Sequence, residues 1–176
     1  DNIKDFKELG KISALTTKIL DYGISLTNAP DKITAAHNNR YRTIGIGLRG
    51  LHDHLAREYL NFRDLDYIRE IAECVEYNAV LASVELSKRF GTFDAFGNSE
   101  WKNGNRIAQF AKHGSGKYDW AFAQSQIDQF GMRNSQLTSP APNTSTSIYM
   151  DSSASVLPVY DAFFSEDNKN GKLVVV

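Results

Sequence analysis

The chain has 176 residues, of which 41% are hydrophobic and 23% are charged, and its 20 Lys and Arg against 21 Asp and Glu give a formal net charge of -1. This length and balance predict about one soluble domain, because no apolar run approaches the roughly 18 residues of a membrane span. Lys and Arg are not concentrated in any window, so neither direct nucleic-acid binding nor membrane attachment is expected.

The N-terminus and the cysteine count bear on the cellular location and on the kinds of cysteine site that are possible. The chain begins with Asp1 and a polar stretch that lacks the basic and apolar regions of a signal peptide, so a cytoplasmic location is expected. Cys74 is the single cysteine. An internal disulfide and any two-cysteine metal or redox motif within this chain are therefore excluded.

The first predicted element is an amphipathic helix from Asp5 to about Tyr22, with Gly23 near its end. A turn follows at residues 28–31, and a short Ala-containing segment then leads to the polar residues 38–42. The apolar residues of the helix recur every three to four positions and are expected to face a partner surface: Phe6, Leu9, Ile12, Ile19 and Leu20.

Residues 45–50, Gly-Ile-Gly-Leu-Arg-Gly, match the GxGxxG pattern of dinucleotide-binding turns and precede a predicted helix from Leu51 to Tyr59. Such turns follow a buried β-branched strand, whereas residues 39–44 are mostly polar. We therefore interpret the glycines as allowing close backbone packing at a strand-to-helix turn. His52 and His54 are two positions apart and fall on different helix faces, so no metal site is expected.

The strongest predicted helix begins near Asp64 or Asp66 and runs to Gly91. Cys74 lies beside its apolar stripe, where no His or helix N-terminus would lower the thiol pKa, and it is interpreted as a structural, half-buried residue. Four glutamates on the polar side are expected to be solvated surface residues: Glu70, Glu73, Glu76 and Glu85.

Residues 92–116 are rich in Gly, Asn and aromatic residues and are predicted to form a long connection anchored by Phe93, Phe96 and Trp101. Asp119 is predicted to cap a helix that ends at Gly131, and residues 132–138 should be extended. Residues 172–176 read as a strand without a closing turn. An excerpt, an interrupted gene or a split-gene product is expected from this, and an edge strand at a natural terminus is the alternative.

An extended stretch that ends at Pro142 is followed by a run of hydroxyl residues through Ser147. Free backbone N–H groups at a helix N-terminus, together with short hydroxyl donors, bind anions without a lysine. The pattern therefore fits a phosphate site. From the pattern by itself, an ordinary Ser/Thr helix cap or a polar loop remains an alternative.

Three motifs stand in a particular order along the chain: Arg42-Thr43-Ile44-Gly45-Ile46-Gly47 with Gly50-Leu51, then Gly131-Met132-Arg133-Asn134-Ser135, then Pro140-Ala141-Pro142-Asn143-Thr144-Ser145-Thr146-Ser147. Taken together, their order and spacing resemble the large subunit of ribonucleotide reductases. Residues 82–88 and 154–160 extend the similarity, which covers nearly all of the chain.

The resemblance implies an α/β fold, in which residues 1–176 form a single partial domain from the later part of a ten-stranded α/β barrel. It implies part of a ribonucleoside-diphosphate reductase, an oxidoreductase that makes deoxyribonucleotides by thiyl-radical chemistry. The family's loop for the substrate phosphates corresponds here to Pro142, Asn143, Thr144, Ser145 and Thr146. Some relatives have an acidic residue at the position of Thr144.

The family's radical cysteine, its two reducing cysteines and the assisting Asn and Glu have no counterpart in this chain, and Cys74 does not match any of them. No catalytic residue and no bound cofactor or metal is therefore expected here, and the isolated chain should be inactive. The loop resembles enzymes that receive their radical from a separate iron or manganese subunit and use a dithiol reductant. The cobalamin-dependent class is the alternative.

The implied partners are a ribonucleoside diphosphate, the remainder of the large subunit, the small radical-generating subunit and a second large subunit in a homodimer. The competing hypothesis is a non-catalytic module that binds a phosphorylated ligand or acts as a scaffold with a separate partner chain. A partial barrel should expose strand edges and aggregate, whereas a module should unfold cooperatively as a monomer.

Overall fold

In the computed structural model, residues 5–159 are described in full, and residues 164–168 and 171–175 by their backbone pairing. The elements are α1 (Phe6–Leu26), α2 (Lys32–Tyr41), α3 (Leu51–Arg57), α4 (Leu65–Phe90), α5 (Asn105–His113), α6 (Trp120–Phe130), α7 (Thr144–Tyr149), β1 (Phe164–Asn168) and β2 (Gly171–Val175), with a 3-10 turn at Phe96–Asn98. They fall into two compact units, one of residues 1–46 and 64–139 and one of residues 47–63 and 140–176. The single partial domain over residues 1–176 stays a prediction.

The first unit is built around α4, whose predicted bounds are confirmed. Asp64 occupies its N-cap position, and the Gly91 amide donates to the Ser87 carbonyl at its C-terminus. Helices α1 and α6 pack against α4, and α5 packs against α6. The buried core consists of aliphatic and aromatic side chains from these elements and the segments between them: Ile44, Ala79, Val80, Val84, Phe93, Trp101, Ile107, Trp120, Ala123, Ile127, Met132 and Leu137.

Helix α1 starts at the predicted cap, where an Asp5 carboxylate oxygen accepts from the Glu8 amide at 2.7 Å, but it continues through Gly23 to Leu26. The predicted apolar face is confirmed at Leu9, which is buried, and at Leu20, which packs against the core, but it is wrong at Ile12 and Ile19, which are 42% and 58% exposed. The buried face consists mainly of small and polar residues: Leu9, Gly10, Ser13, Thr17 and Asp21.

The close approach of α1 to α4 explains why small and polar residues of α1 are buried while Ile12 and Ile19 are exposed. A Cβ atom on Gly10 would lie 2.7 Å from the Asn78 side-chain nitrogen, and the Ser13 hydroxyl donates to the Val75 carbonyl at 2.7 Å. A large aliphatic side chain does not fit at such a distance. Periodicity indicates that a helix has two faces, but the packing distance decides which of them is buried.

Helices α2 and α5 were not predicted. An Asp31 carboxylate oxygen caps α2 by accepting from the Thr34 amide at 2.8 Å, yet α2 has no buried residue, and in α5 only Ile107 is buried. Helix α2 shows only a weak apolar period, which explains why it was missed. Helix α5 is strongly amphipathic, but it is short and lies among the Gly and Asn residues that were interpreted as a connection. The predicted anchors Phe93 and Trp101 are confirmed as buried, and Phe96 packs edge-on against Phe93 with ring centroids 5.7 Å apart.

Helix α6 is confirmed as predicted, with the Asp119 carboxylate accepting from the Phe122 amide and Gly131 at its end. The segment after α6 is extended where it meets residues 44–46. The Ile44 amide donates to the Gln136 carbonyl at 3.1 Å, and the Ile46 amide donates to the Leu137 carbonyl at 2.8 Å. Ile46 and Thr138 form a parallel bridge. This pairing is the parallel β structure of the first unit among the described residues.

The second unit includes a hairpin in which β1 and β2 pair antiparallel, from Phe164 opposite Val175 to Asn168 opposite Gly171. The strand predicted for residues 172–176 is confirmed over residues 172–175, and Val176 lies outside the described residues. Among the helices that the structure describes, none combines the length and apolar character needed to cross a membrane.

A buried ionic network joins α1 to the segments that follow α2 and α6. Asp21 is 1% exposed and accepts from Arg42 Nε at 2.8 Å and from the Asn134 side-chain amide at 2.9 Å. Arg42 is 5% exposed and also donates to the Asp21 carbonyl. Ser83 of α4 completes the network, because its hydroxyl donates to the Asn134 side-chain oxygen at 2.9 Å. These polar groups satisfy one another inside the unit.

The expectation that the four glutamates of α4 are solvated surface residues was wrong for three of them. Glu73 is 6% exposed and accepts from the Trp120 indole nitrogen at 2.7 Å, and Glu76 is 7% exposed and accepts from the Thr138 hydroxyl at 2.6 Å. The Glu70 side chain is 13% exposed and pairs with Lys117. Only the Glu85 side chain, at 66%, is a surface group as predicted. Glu73 and Glu76 are buried because hydrogen-bond donors from other segments pair with their carboxyl groups. The apolar period of a helix does not reveal such donors.

The buried carboxyl group of Glu76 leads to a pH-dependent prediction. Burial raises its pKa above the ordinary value of 4.5, although the Thr138 hydrogen bond acts in the opposite direction. The folded chain therefore binds this proton more tightly than the unfolded chain. The contribution of Glu76 to stability is fully present below pH 4.5 and is lost as the pH rises through the folded-state pKa.

We expect Glu76→Gln, which cannot ionise but keeps an oxygen for Thr138, to gain stability relative to the parent protein as the pH rises from acid to neutral. Urea unfolding across that range measures the difference in the free energy of unfolding. Glu85→Gln on the exposed side of α4 is the control and should show a much flatter difference. A Glu76→Gln difference that does not change with pH would contradict the assignment.

Candidate phosphate-binding site

The predicted phosphate loop lies in the second unit and leads directly into α7. Asn143, the N-cap residue of α7, has left-handed backbone angles of φ 54 and ψ 23, and its side chain does not cap the helix. Its side-chain amide instead donates to the Leu48 carbonyl at 3.4 Å. The first-turn amides of α7 therefore lack a side-chain acceptor from their own cap, as an anion site requires.

The five predicted residues are contiguous and differ in exposure. Pro142, Ser145 and Thr146 are exposed, whereas Asn143 and Thr144 are partly buried. Ser145 and Thr146 thus present hydroxyl groups beside the N-terminal turn of α7. The partial positive charge of that turn and the hydroxyl donors are together suited to a phosphate group.

Ser147, the last hydroxyl residue of the run, belongs to the fold of this segment. It is 3% exposed, and its hydroxyl donates to the Thr144 carbonyl at 2.7 Å. Its amide donates to the Asn143 carbonyl at 2.9 Å and closes the first turn. Ser145 and Thr146 are therefore exposed hydrogen-bond donors, whereas Ser147 is buried and stabilises the fold of the segment.

Sequence reasoning missed the contacts that hold this segment, which come from the GxGxxG turn and from the first turn of α3. The Arg49 guanidinium donates to the Ser152 hydroxyl, and the Gly50 amide donates to the Ser153 carbonyl at 2.8 Å. The Ser153 amide donates to an Asp53 carboxylate oxygen at 2.6 Å. No short motif signals these contacts, because the partners are about 100 positions apart in the chain.

The glycines of the turn have the structural role that was predicted. A Cβ atom on Gly45 would lie 2.9 Å from the Ser139 Cβ atom, so the two backbones approach more closely than a side chain allows. Gly50 has a φ of +73, which L side chains rarely adopt. Close packing is therefore confirmed at Gly45, whereas Gly50 is required by its positive φ. The turn follows α2 and the isolated bridge residue Ile46, and a regular strand does not precede it among the described residues.

Among residues 5–159, neither histidine of α3 belongs to a group of side chains that could hold a metal ion. His52 Nδ1 accepts from the Val159 amide at 3.3 Å, and its ring stacks on Phe62 with centroids 6.1 Å apart. Within residues 5–159, no group of three or more His, Cys, Asp and Glu side chains is arranged to hold a metal ion. The expectation that this segment binds no cofactor stays a prediction.

The single thiol belongs to α4 of the first unit. Cys74 is 1% exposed, and its sulfur donates to the Phe6 carbonyl at 3.3 Å. Burial raises the pKa of the Cys74 thiol, so the reactive thiolate is disfavoured. The structural interpretation of Cys74 is confirmed, although the residue is more deeply buried than predicted.

Comparison with known sequences identifies the family. Residues 1–176 match the family described as ribonucleotide reductase, barrel domain. The chain belongs to the ribonucleotide reductase family. Its relatives include the ribonucleoside-diphosphate reductase subunit alpha of Synechocystis sp., which is 35% identical over 97% of this chain and 23% of the relative. The corresponding large subunit of Arabidopsis thaliana is 30% identical over 98% of this chain and 22% of the relative.

The subunit alpha of Treponema pallidum is 32% identical over 96% of this chain and 20% of the relative. The predicted resemblance to ribonucleotide reductases is therefore confirmed, and the chain spans about a fifth to a quarter of the length of these curated relatives. The family description names a barrel domain, whereas the described residues are rich in helix. The ten-stranded α/β barrel stays a prediction.

Proposed function

We propose that this chain is part of the large subunit of a ribonucleoside-diphosphate reductase and that residues 142–146 hold the phosphates of its substrate. The family match, which covers the whole chain, carries this proposal. The relatives named above are ribonucleoside-diphosphate reductases by name, so a ribonucleoside diphosphate is the proposed substrate.

The geometry of the loop supports the proposed role of each residue. Pro142 and the left-handed Asn143 turn the chain into α7, and the amides of Thr144, Ser145 and Thr146 begin the helix. The exposed Ser145 and Thr146 hydroxyls supply further donors. A diphosphate bound there would receive neutral hydrogen bonds and the positive end of the helix dipole, without a lysine.

The remaining chemistry is proposed to come from outside these residues. The buried Cys74 thiol is unsuited to radical or disulfide chemistry, so the radical cysteine and the reducing pair would lie in other parts of the large subunit. We propose that the segment belongs to a ten-stranded α/β barrel in a homodimeric cytoplasmic enzyme. A separate iron or manganese subunit would supply the radical, and a dithiol would regenerate the cysteines.

The test removes hydroxyl donors from the loop. Ser145→Ala and Thr146→Val in the full-length gene product should each raise KM for a ribonucleoside diphosphate about tenfold, because one hydrogen bond to a charged phosphate is lost. The kcat value should change less, since the donors bind a part of the substrate that does not react. Steady-state reductase assays measure both constants.

Ser125→Ala is the matched control, because the Ser125 hydroxyl is exposed on α6 and donates only to the Phe122 carbonyl. Unchanged KM in both loop variants would overturn the proposed site. Binding of a ribonucleoside diphosphate without turnover under any radical source would favour the alternative function, a non-catalytic module for phosphorylated ligands. The isolated 176-residue chain is expected to be inactive in either case.

A further inference from the structure

We infer that Arg49 and Asp53 are positioning residues for the phosphate loop, because the segment that contains them, residues 48–53, contacts both ends of α7. This inference rests on the proposed function of residues 142–146. The two side chains are partly buried and lie in the second unit together with the loop. Neither side chain is proposed to contact the substrate.

At the N-terminal end of α7, the turn fixes the residue that starts the helix. Asn143 has positive φ, a conformation that costs a non-glycine residue free energy unless its surroundings favour it. Its side-chain amide donates to the Leu48 carbonyl at 3.4 Å. Leu48 is the residue immediately before Arg49, so the same turn contacts the start of the loop.

At the C-terminal end, three contacts converge on two consecutive serines. Arg49 donates to the Ser152 hydroxyl, the Gly50 amide donates to the Ser153 carbonyl, and the Ser153 amide donates to Asp53. The Ser152 amide in turn donates to the Ser147 carbonyl of α7 at 3.1 Å. The Asp53 carboxylate lies in the first turn of α3, where the helix dipole stabilises a negative charge.

The length of α7 makes these contacts necessary. A helix of six residues is not stable by its own hydrogen bonds, so the direction of its first amides depends on what holds its ends. Phosphate binding through backbone amides requires those directions to be set before the substrate arrives. Residues 48–53 bind both Asn143 and Ser153 and so provide that preorganisation.

The experiment removes the contacts of Arg49 and Asp53 with Ser152 and Ser153 and leaves residues 142–146 unchanged. Asp53→Ala and Arg49→Met in the full-length gene product should each raise KM for a ribonucleoside diphosphate about tenfold, the equivalent of one charge-assisted hydrogen bond, with a smaller change in kcat. Asp53→Asn keeps an oxygen that accepts from the Ser153 amide and should restore most of the affinity. Hydrogen exchange of the α7 amides should become faster in Asp53→Ala and Arg49→Met.

Glu58→Ala and Arg57→Ala, which remove exposed charges at the end of α3, are the matched controls and should change neither readout. If the Ser145 and Thr146 variants raise KM while the Asp53 and Arg49 variants do not, the positioning role is overturned and the phosphate site stands. If the Ser145 and Thr146 variants also leave KM unchanged, the proposed function itself fails. Should Asp53→Ala not fold, Arg49→Met and Asp53→Asn decide the question, and an unchanged KM and α7 exchange rate in Arg49→Met would overturn the inference.

Discussion

Replacement of Asp21 by alanine is expected to lower the free energy of unfolding by about 3–5 kcal/mol, because it leaves the buried Arg42 guanidinium without its counter-charge. Asp21 is 1% exposed and Arg42 is 5% exposed, so water does not replace the lost partner. The same change removes one of the two acceptors of the Asn134 side-chain amide, whose other acceptor is the Arg42 carbonyl. Urea unfolding of the purified variant and parent proteins measures the effect.

Two further variants make this test specific. Asp21→Asn keeps an acceptor oxygen but not the charge, and it should lie between the parent protein and Asp21→Ala. Glu85→Ala breaks an ion pair with Lys18 whose side chains are 66% and 36% exposed, and it should cost at most about 1 kcal/mol. Equal losses for Asp21→Ala and Glu85→Ala would show that the buried network contributes no more than a surface pair.

Replacement of Trp120 by alanine should also cost about 3–5 kcal/mol, because it empties a large buried site. Trp120 is 4% exposed, and its ring stacks on Phe110 with centroids 4.8 Å apart and meets Tyr77 edge-on at 5.2 Å. Its indole nitrogen donates to Glu73 at 2.7 Å, so the substitution also removes one donor from a buried carboxylate. The loss is measured by urea unfolding.

Trp120→Phe separates the two contributions, since it keeps most of the ring contacts and removes the indole donor. We expect it to cost about 1–3 kcal/mol, the range for a hydrogen bond to a buried charged group. Phe122 lies two positions along the same helix and is 47% exposed, so Phe122→Ala is the matched control and should cost much less. A loss in Trp120→Ala no larger than in Phe122→Ala would contradict the placement of Trp120 in the core.

The buried Asp21 carboxylate has a consequence for how the candidate site is tested. Asp21 holds Arg42 and Asn134, which precede the two segments that form the parallel pairing at Ile46 and Thr138. Those segments lead along the chain into the GxGxxG turn and into the phosphate loop. Variants of Asp21 are therefore stability tests and are unsuitable as probes of substrate binding.

The sequence by itself determined the family and the ends of the strongest helices. The three ordered motifs were sufficient for the resemblance to ribonucleotide reductases, because each motif combines glycine, proline and polar residues in a local pattern. The ends of α4 and α6 were predictable for the same reason: the Asp119 carboxylate and the Gly91 and Gly131 amides make hydrogen bonds within one helical turn of their own position. Asp64 takes the N-cap position of α4 without a side-chain cap hydrogen bond. Local hydrogen bonding needs only neighbouring residues.

Only the tertiary structure decided which faces are buried and which distant residues meet. Helix α1 buries Ser13 and Thr17 and exposes Ile19, because its close approach to α4 selects small side chains. Glu73 accepts from Trp120, 47 positions away, and Asp53 accepts from Ser153, 100 positions away. Apolar periodicity indicates that a segment is helical. It contains no information about how near a partner helix lies or which hydrogen-bond donors other segments bring. The distance to the partner helix determines which face is buried, and the distant donors determine which polar side chains are buried and what holds the phosphate loop.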